Sequence, residues 1–236
     1  MSDKMFSELK RSVFEANVDL SRSGLVKYAF GNVSGIDREN GVIAIKPSGV
    51  PYDKLTPDMI VVLDLDGKVI ESDFRPSSDT DTHLALYRNL PKIAGVAHTH
   101  SQYATAWAQA ELEIPCLGTT HADFCTHAIP CSTVLADEAI KNAYEYETGQ
   151  QIVRTLLSLS NIETTMILVG GHGPFTWGDS PKQAVYHAVM LEEIAKLAYF
   201  TLILAPSKRP LKQTLIEKHY YRKHGKNAYY GQKKSL

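Results

Sequence analysis

Leu9, Val13, Ala16 and Leu20 recur at helical spacing near the start of the chain, and Gly24 is placed to end that helix in a left-handed conformation. The pattern then changes. The stretch FGNVSGIDRENGVIAIKPSGV alternates short apolar runs with Gly, Asn, Ser and Pro, which predicts strands joined by tight turns. MIVVLDLDGKVIES predicts a hairpin turning at Asp66-Gly67. SSDTDTHLALYRNL opens on capping residues and continues as a helix. In KIAGVAHTH, the apolar residues Ile93, Val96 and Ala97 predict a buried strand, with a helix following from about Tyr103. A second apolar strand, TMILVGG, precedes HGPFTWG, and a long helix runs from about Ser180 to Leu204 with Pro181 in its first turn. Hairpins interrupt the strand–helix alternation, so the expected fold is α/β with a central mixed, largely antiparallel sheet flanked by helices. No repeat, low-complexity segment or linker divides the chain, and one domain over residues 1–236 is expected.

Composition narrows the function classes. The chain of 236 residues is 44% hydrophobic and 22% charged, enough for one well-packed core. A formal net charge of −1 gives no overall push toward nucleic acid or an anionic membrane. The three cysteines, Cys116, Cys125 and Cys131, lack CxxC pairing and predict a reducing compartment rather than a disulfide framework. MSDKMFSELKRSVFEANVDL has no apolar run of signal-peptide type. VMLEEIAKLAYFTLILAP is interrupted by Glu192, Glu193 and Lys196, too often to span a bilayer. The expectation is a soluble, cytoplasmic protein. No GxGxxG or P-loop pattern supports a nucleotide cofactor.

The candidate chemistry begins where the strand of KIAGVAHTH ends in His98 and His100. Strand side chains alternate, so residues two apart point to one side, with Cα atoms roughly 6–7 Å apart. Both rings can then reach one small object. A catalytic zinc site takes three protein ligands and leaves a position open. His172, after the second apolar strand and between glycines, is a third candidate, and Asp79 is a fourth group, as ligand or base. The segment HADFCTHAIPC offers a competing set, His121, Cys125, His127 and Cys131, but without knuckle spacing its cysteines read better as small buried hydrophobes.

Three segments combine turn backbone with donors suited to an anion: GNVS with Gly31 and Asn32, KPSG with Lys46, Ser48 and Gly49, and PSSD with Ser77 and Ser78. Each is also ordinary turn chemistry when taken alone. Asp123 is either a cap or a general acid–base group. The tail KHYYRKHGKNAYYGQKK interleaves tyrosines with cations. A nucleic-acid surface would use such a pattern, but the neutral whole-chain balance opposes it. A tail covering an active site, whether its own or a neighbour's, accounts for the tyrosines equally well.

Taken in order along nearly the whole chain, GNVS, KPSGV, RPSSDT.TH, HTHS..AT.WAQ, IPCLGTTHAD, HGPF.WG and KHY.RKHG..AYYGQ resemble the class II aldolase/adducin family, on its L-ribulose-5-phosphate 4-epimerase branch. The resemblance implies a class II aldolase-like fold and one Zn²⁺ per subunit, held by Asp79, His98, His100 and His172. It implies phosphate or substrate contacts from Gly31, Asn32, Lys46, Ser48, Gly49, Ser77 and Ser78. Asp123 and Tyr230 match the acid–base pair, and His219 a further substrate-side residue. A homotetramer is implied, with active sites between subunits and the tail, about 206–236, crossing to a neighbour. The implied activity is epimerisation at C4 of a ketopentose 5-phosphate. That carbon bears no acidic hydrogen, so the C3–C4 bond must be broken and remade, with the metal acting as Lewis acid. A class II sugar-phosphate aldolase, sharing the metal but releasing the aldehyde, is the neighbouring alternative. Phe124 and Cys125 depart from the family's pattern after Asp123, Phe124 keeping an aromatic ring and Cys125 replacing one.

Overall fold

The computed structural model describes residues 6–159, 164–226 and 228–231. Its first helix, α1 (Ser7–Arg22), buries Val13, Ala16 and Leu20 as the spacing predicts, and Gly24 follows it at φ +77°. Asn17, also buried on α1, goes beyond that apolar stripe. Its amide accepts from the Val33 N–H at 2.9 Å and donates to the Val33 carbonyl at 3.0 Å, fastening the helix to the first strand.

Strands β1 (Asn32–Asp37), β2 (Val42–Ile45), β3 (Val61–Asp64) and β4 (Val69–Glu71) form an antiparallel meander, and Gly67 at φ +88° makes the predicted turn between the last two. Next come α2 (Thr80–Asn89), β5 (Gly95–His98), α3 (Gln102–Gln109), the short α4 (Thr119–Ala122) and β6 (Cys131–Ser132). The chain continues through α5 (Asp137–Ser158), β7 (Met166–Val169), β8 (Gly173–Gly178), α6 (Pro181–Leu204) and α7 (Gln213–His224). One sheet has the order β4-β3-β2-β1-β5-β8-β7-β6, and every pairing is antiparallel except β6 with β7. The mixed, largely antiparallel sheet expected from the hairpins is therefore present. Ser180 caps α6 by accepting from the Gln183 N–H, with Pro181 in the first turn. The sequence pattern predicts no helix at α5.

Alternation along the strands sorts the core into two layers. Ile43, Ile45, Val96, Ile167 and Phe175 pack with Leu84, Leu86, Ile152 and Val153 from α2 and α5. On the opposite face, Val33 and Ala97 pack with Ala16 and Leu20 of α1 and Ala184 and Ala188 of α6. His98 shares the α2/α5 face with Val96, and it emerges where the N-terminus of α2 passes the end of β5. Among the described residues, no helix is long and apolar enough to cross a membrane.

Candidate metal centre and sugar-phosphate pocket

β5 lies between β1 and β8, so the loops at its end bring distant histidines together. The ligand atoms of His98, His100 and His172 all lie within 4.8 Å of one another. His98 is buried and stacks on Phe175 with ring centroids 4.2 Å apart. Its Nδ1–H donates to the Pro174 carbonyl at 3.0 Å, which leaves Nε2 with a free lone pair. His172 has its Nδ1 3.2 Å from the Tyr144 hydroxyl. Burial, then the neighbouring His98 and His100, push the His172 pKa down to about 3, and burial also lowers that of His100. Neutral imidazoles are what a metal ion requires of its ligands. Among the described residues this is the group of three metal-binding side chains that converges, and the donor set fits a divalent ion of the zinc type.

Asp79 stands beside this triad rather than in it. It occupies the N-cap position of α2 but makes no side-chain cap. Instead its Oδ2 accepts from the Asn32 amide at 2.6 Å. Burial alone would raise its pKa, but His98, His83, the Asn32 hydrogen bond and His172 outweigh that and hold the carboxyl below its ordinary value. His121, Cys125, His127 and Cys131 form no comparable group. His121 donates from Nε2 to the His127 carbonyl, and the Cys125 and Cys131 thiols point to backbone carbonyls.

The three turn segments meet next to the triad. Asn32 donates to Ser77 Oγ at 3.0 Å as well as to Asp79, and its buried Oδ1 has no partner. Pro47 and Pro76 form an isolated bridge, with the Ser48 N–H on Arg75 and the Ser77 N–H on Lys46. Ser78 is exposed, and Gly49 has φ +69° with open space where a side chain would stand. Lys46 is buried, with Nζ 4.8 Å from the Tyr52 ring centroid and 3.3 Å from the Ala29 carbonyl; burial lowers its pKa to about 8. Gly31 has φ +76°, and a Cβ there would come within 2.7 Å of Val26 and 2.9 Å of the His98 carbonyl. Gly31→Ala should therefore cost about 1–3 kcal/mol of stability, read as a lowered denaturant midpoint. An unchanged midpoint would show that the turn relaxes freely.

Asp123 belongs to a separate cluster built with α7. Arg222 grips its carboxylate through three contacts of 2.9–3.2 Å, while His219 and Lys223 each approach at 3.1 Å. Burial would raise the Asp123 pKa, but Lys223, Arg222 and His219 hold it below the usual range. Tyr230 lies over the same cations, its ring centroid 4.9 Å from the Arg222 guanidinium carbon and 4.5 Å from Lys223 Nζ. Ile216 seats α7 on Cys116 and Ala122. Within one chain and among the described residues, no hydrogen bond, ion pair or ring contact joins this cluster to the triad. Tail residues 227 and 232–236 lie outside the described residues.

Residues 11–199 match the family described as Class II Aldolase and Adducin N-terminal domain. The chain belongs to the class II aldolase/adducin family. Two curated relatives named L-ribulose-5-phosphate 4-epimerase UlaF, from Salmonella paratyphi C and Salmonella choleraesuis, are each 52% identical over 226 residues, covering 96% of this chain and 99% of the relative. The same class II aldolase fold recurs in a solved L-fuculose 1-phosphate aldolase, at TM-score 0.76 and 22% identity over 91% of this chain and 95% of that one. It recurs again in YgbL from Klebsiella pneumoniae, a putative aldolase/epimerase/decarboxylase, at TM-score 0.71 and 23% identity over 89% and 97%. Tyr144 is the site neighbour that sequence reasoning did not find. A tyrosine on a polar helix carries no local signal of its contact with His172.

Proposed function

We propose that the protein interconverts L-ribulose 5-phosphate and D-xylulose 5-phosphate by cleaving and re-forming the C3–C4 bond. The observation that carries this reading is the triad lying against the cradle of Asn32, Lys46 and Ser77, in a chain 52% identical to epimerases of that name. His98, His100 and His172 would hold a divalent ion, with Asp79 beside them. When bound, the ion supplies positive charge where negative charge develops on the ketose oxygens. The hydroxyls of Ser48, Ser77 and Ser78 and the backbone N–H groups of Gly49 and Ser78, together with Gly31, Asn32 and Lys46, would keep the phosphate-bearing aldehyde in place while it turns over. Holding both fragments makes re-addition effectively intramolecular.

Asp123 and Tyr230 would take and return the C4 hydroxyl proton, one on each face, with His219 holding Asp123 on the substrate side. Arg222 contacts both members of this pair, so they would travel as one unit. Their separation from the triad within one chain favours a site completed between copies, in a homotetramer whose segment 206–236 covers a neighbour's metal centre.

The decisive experiment is a coupled assay for D-xylulose 5-phosphate formed from L-ribulose 5-phosphate, using chelator-stripped and zinc-restored protein. Turnover restored by zinc is expected. Accumulation of free glycolaldehyde phosphate without epimer would replace the epimerase reading with a sugar-phosphate aldolase.

Lys46 gives this reading a pH signature. Its proton is lost from the free protein near pH 8, and with it the positive charge available to a phosphate. A fall in kcat/KM above about pH 8 is expected, with a Lys46→Met variant uniformly weak and lacking that alkaline limb. An identical limb in the variant would remove Lys46 from phosphate binding.

A further inference from the structure

We propose that Tyr144 is a positioning residue for the metal centre: its hydroxyl orients His172 and raises the affinity of the triad for a divalent ion. The inference rests on the reading of His98, His100 and His172 as metal ligands. His98 has a backbone carbonyl on Nδ1, and His172 has the Tyr144 hydroxyl in the corresponding place at 3.2 Å. With Nδ1 engaged, Nε2 is the nitrogen left to face an ion. The ion-competent tautomer of His172 carries its proton on Nδ1 and donates it to the Tyr144 oxygen. The phenol thus selects a tautomer as well as a ring angle.

The anchoring of Tyr144 is firm. Helix α5 breaks at Ala143, where φ is −158° and ψ 64°, so the turn bearing Tyr144 starts afresh next to the site. Thr82 on α2 donates to the Glu145 carbonyl at 2.6 Å, and Thr148 donates to the Tyr144 carbonyl at 2.8 Å. Gly149 lets the two helices approach so closely that a Cβ there would lie 2.6 Å from the Ala85 side chain. The same α2 begins at Asp79. One helix pair therefore sets both the carboxylate beside the triad and the hydroxyl behind His172.

The test is a competition titration of zinc against a chromophoric chelator, on wild type, Tyr144→Phe, His172→Ala and the double variant. Thermal melts of the stripped proteins accompany it. Phe keeps the ring and removes only the hydroxyl. The expected result is about 10–100-fold weaker zinc binding for Tyr144→Phe, unchanged melting of the stripped protein, and no additional loss in the His172→Ala background. Equal affinity of wild type and Tyr144→Phe would overturn the inference, as would the same fractional loss in both backgrounds. Failure of the wild type itself to bind zinc would instead defeat the metal reading beneath it.

Discussion

His98→Ala should bind no stoichiometric zinc and should show no epimerase activity above background. His98 is one of three nitrogens that converge, and two imidazoles without a third hold zinc far more weakly. The same substitution also costs stability, because the ring is 2% exposed and stacks on Phe175. Truncating a buried Phe or Trp ring typically costs about 3–5 kcal/mol, and the smaller, polar imidazole should cost less. His100 separates the two effects. It is the most exposed residue of the three, so His100→Ala should lose the metal and the activity with a much smaller change in the melting temperature of the stripped protein. The measurements are metal content after desalting, activity with added zinc, and a melt of each stripped variant. Full zinc occupancy in either variant would show that the triad is not the centre.

Tyr230→Phe should retain zinc and lose activity about 10²–10⁴-fold, the usual cost of removing an acid–base group. Its ring sits over Arg222 and Lys223, and Phe preserves those contacts, so the loss would report the hydroxyl alone. Asp123→Asn should lose rate by a comparable factor, since the amide cannot take a proton from the C4 hydroxyl. It would also leave Arg222, Lys223 and His219 facing a neutral group. Mixing inactive Tyr230→Phe with inactive His100→Ala probes whether sites are shared between chains. If they are, hybrid oligomers contain some sites that combine an intact triad with an intact tail, and activity reappears. No recovery after demonstrated subunit exchange would assign both halves of a site to one chain. Full activity in Tyr230→Phe alone would end its assignment as acid or base.

How much of this was legible in the sequence differs from element to element. The strand ending in His98 was visible because an apolar run and a two-residue period are local properties. The cap and first turn of α6 were visible for the same reason, since Ser180 and Pro181 act on their own neighbours. Helix α5 was not. Only Thr148, Gly149, Ile152 and Val153 of its residues are buried in the helix, and the break at Ala143 interrupts what periodicity there is. Asp79 was expected both at a helix start and as a metal-site group. It does begin α2, but its carboxylate turns away from capping and toward Asn32, a partner 47 positions earlier. The tail was expected as a cover rich in tyrosine. Its helix, and the grip of Arg222 on Asp123 across 99 positions, have no local trace.

Residue types and short-range order came from the chain itself: which strands are buried, where they turn, and which ends carry imidazole, hydroxyl and ammonium groups. Burial every second or every third to fourth residue writes that information directly into neighbouring positions. The tertiary structure decided which ends meet. It put β5 between β1 and β8, closed the triad, directed the Asn32 amide to Asp79 and Ser77, set Tyr144 behind His172 and bound Asp123 to α7. Those partnerships depend on long-range packing, where one side chain has many possible neighbours and only the assembled core selects among them.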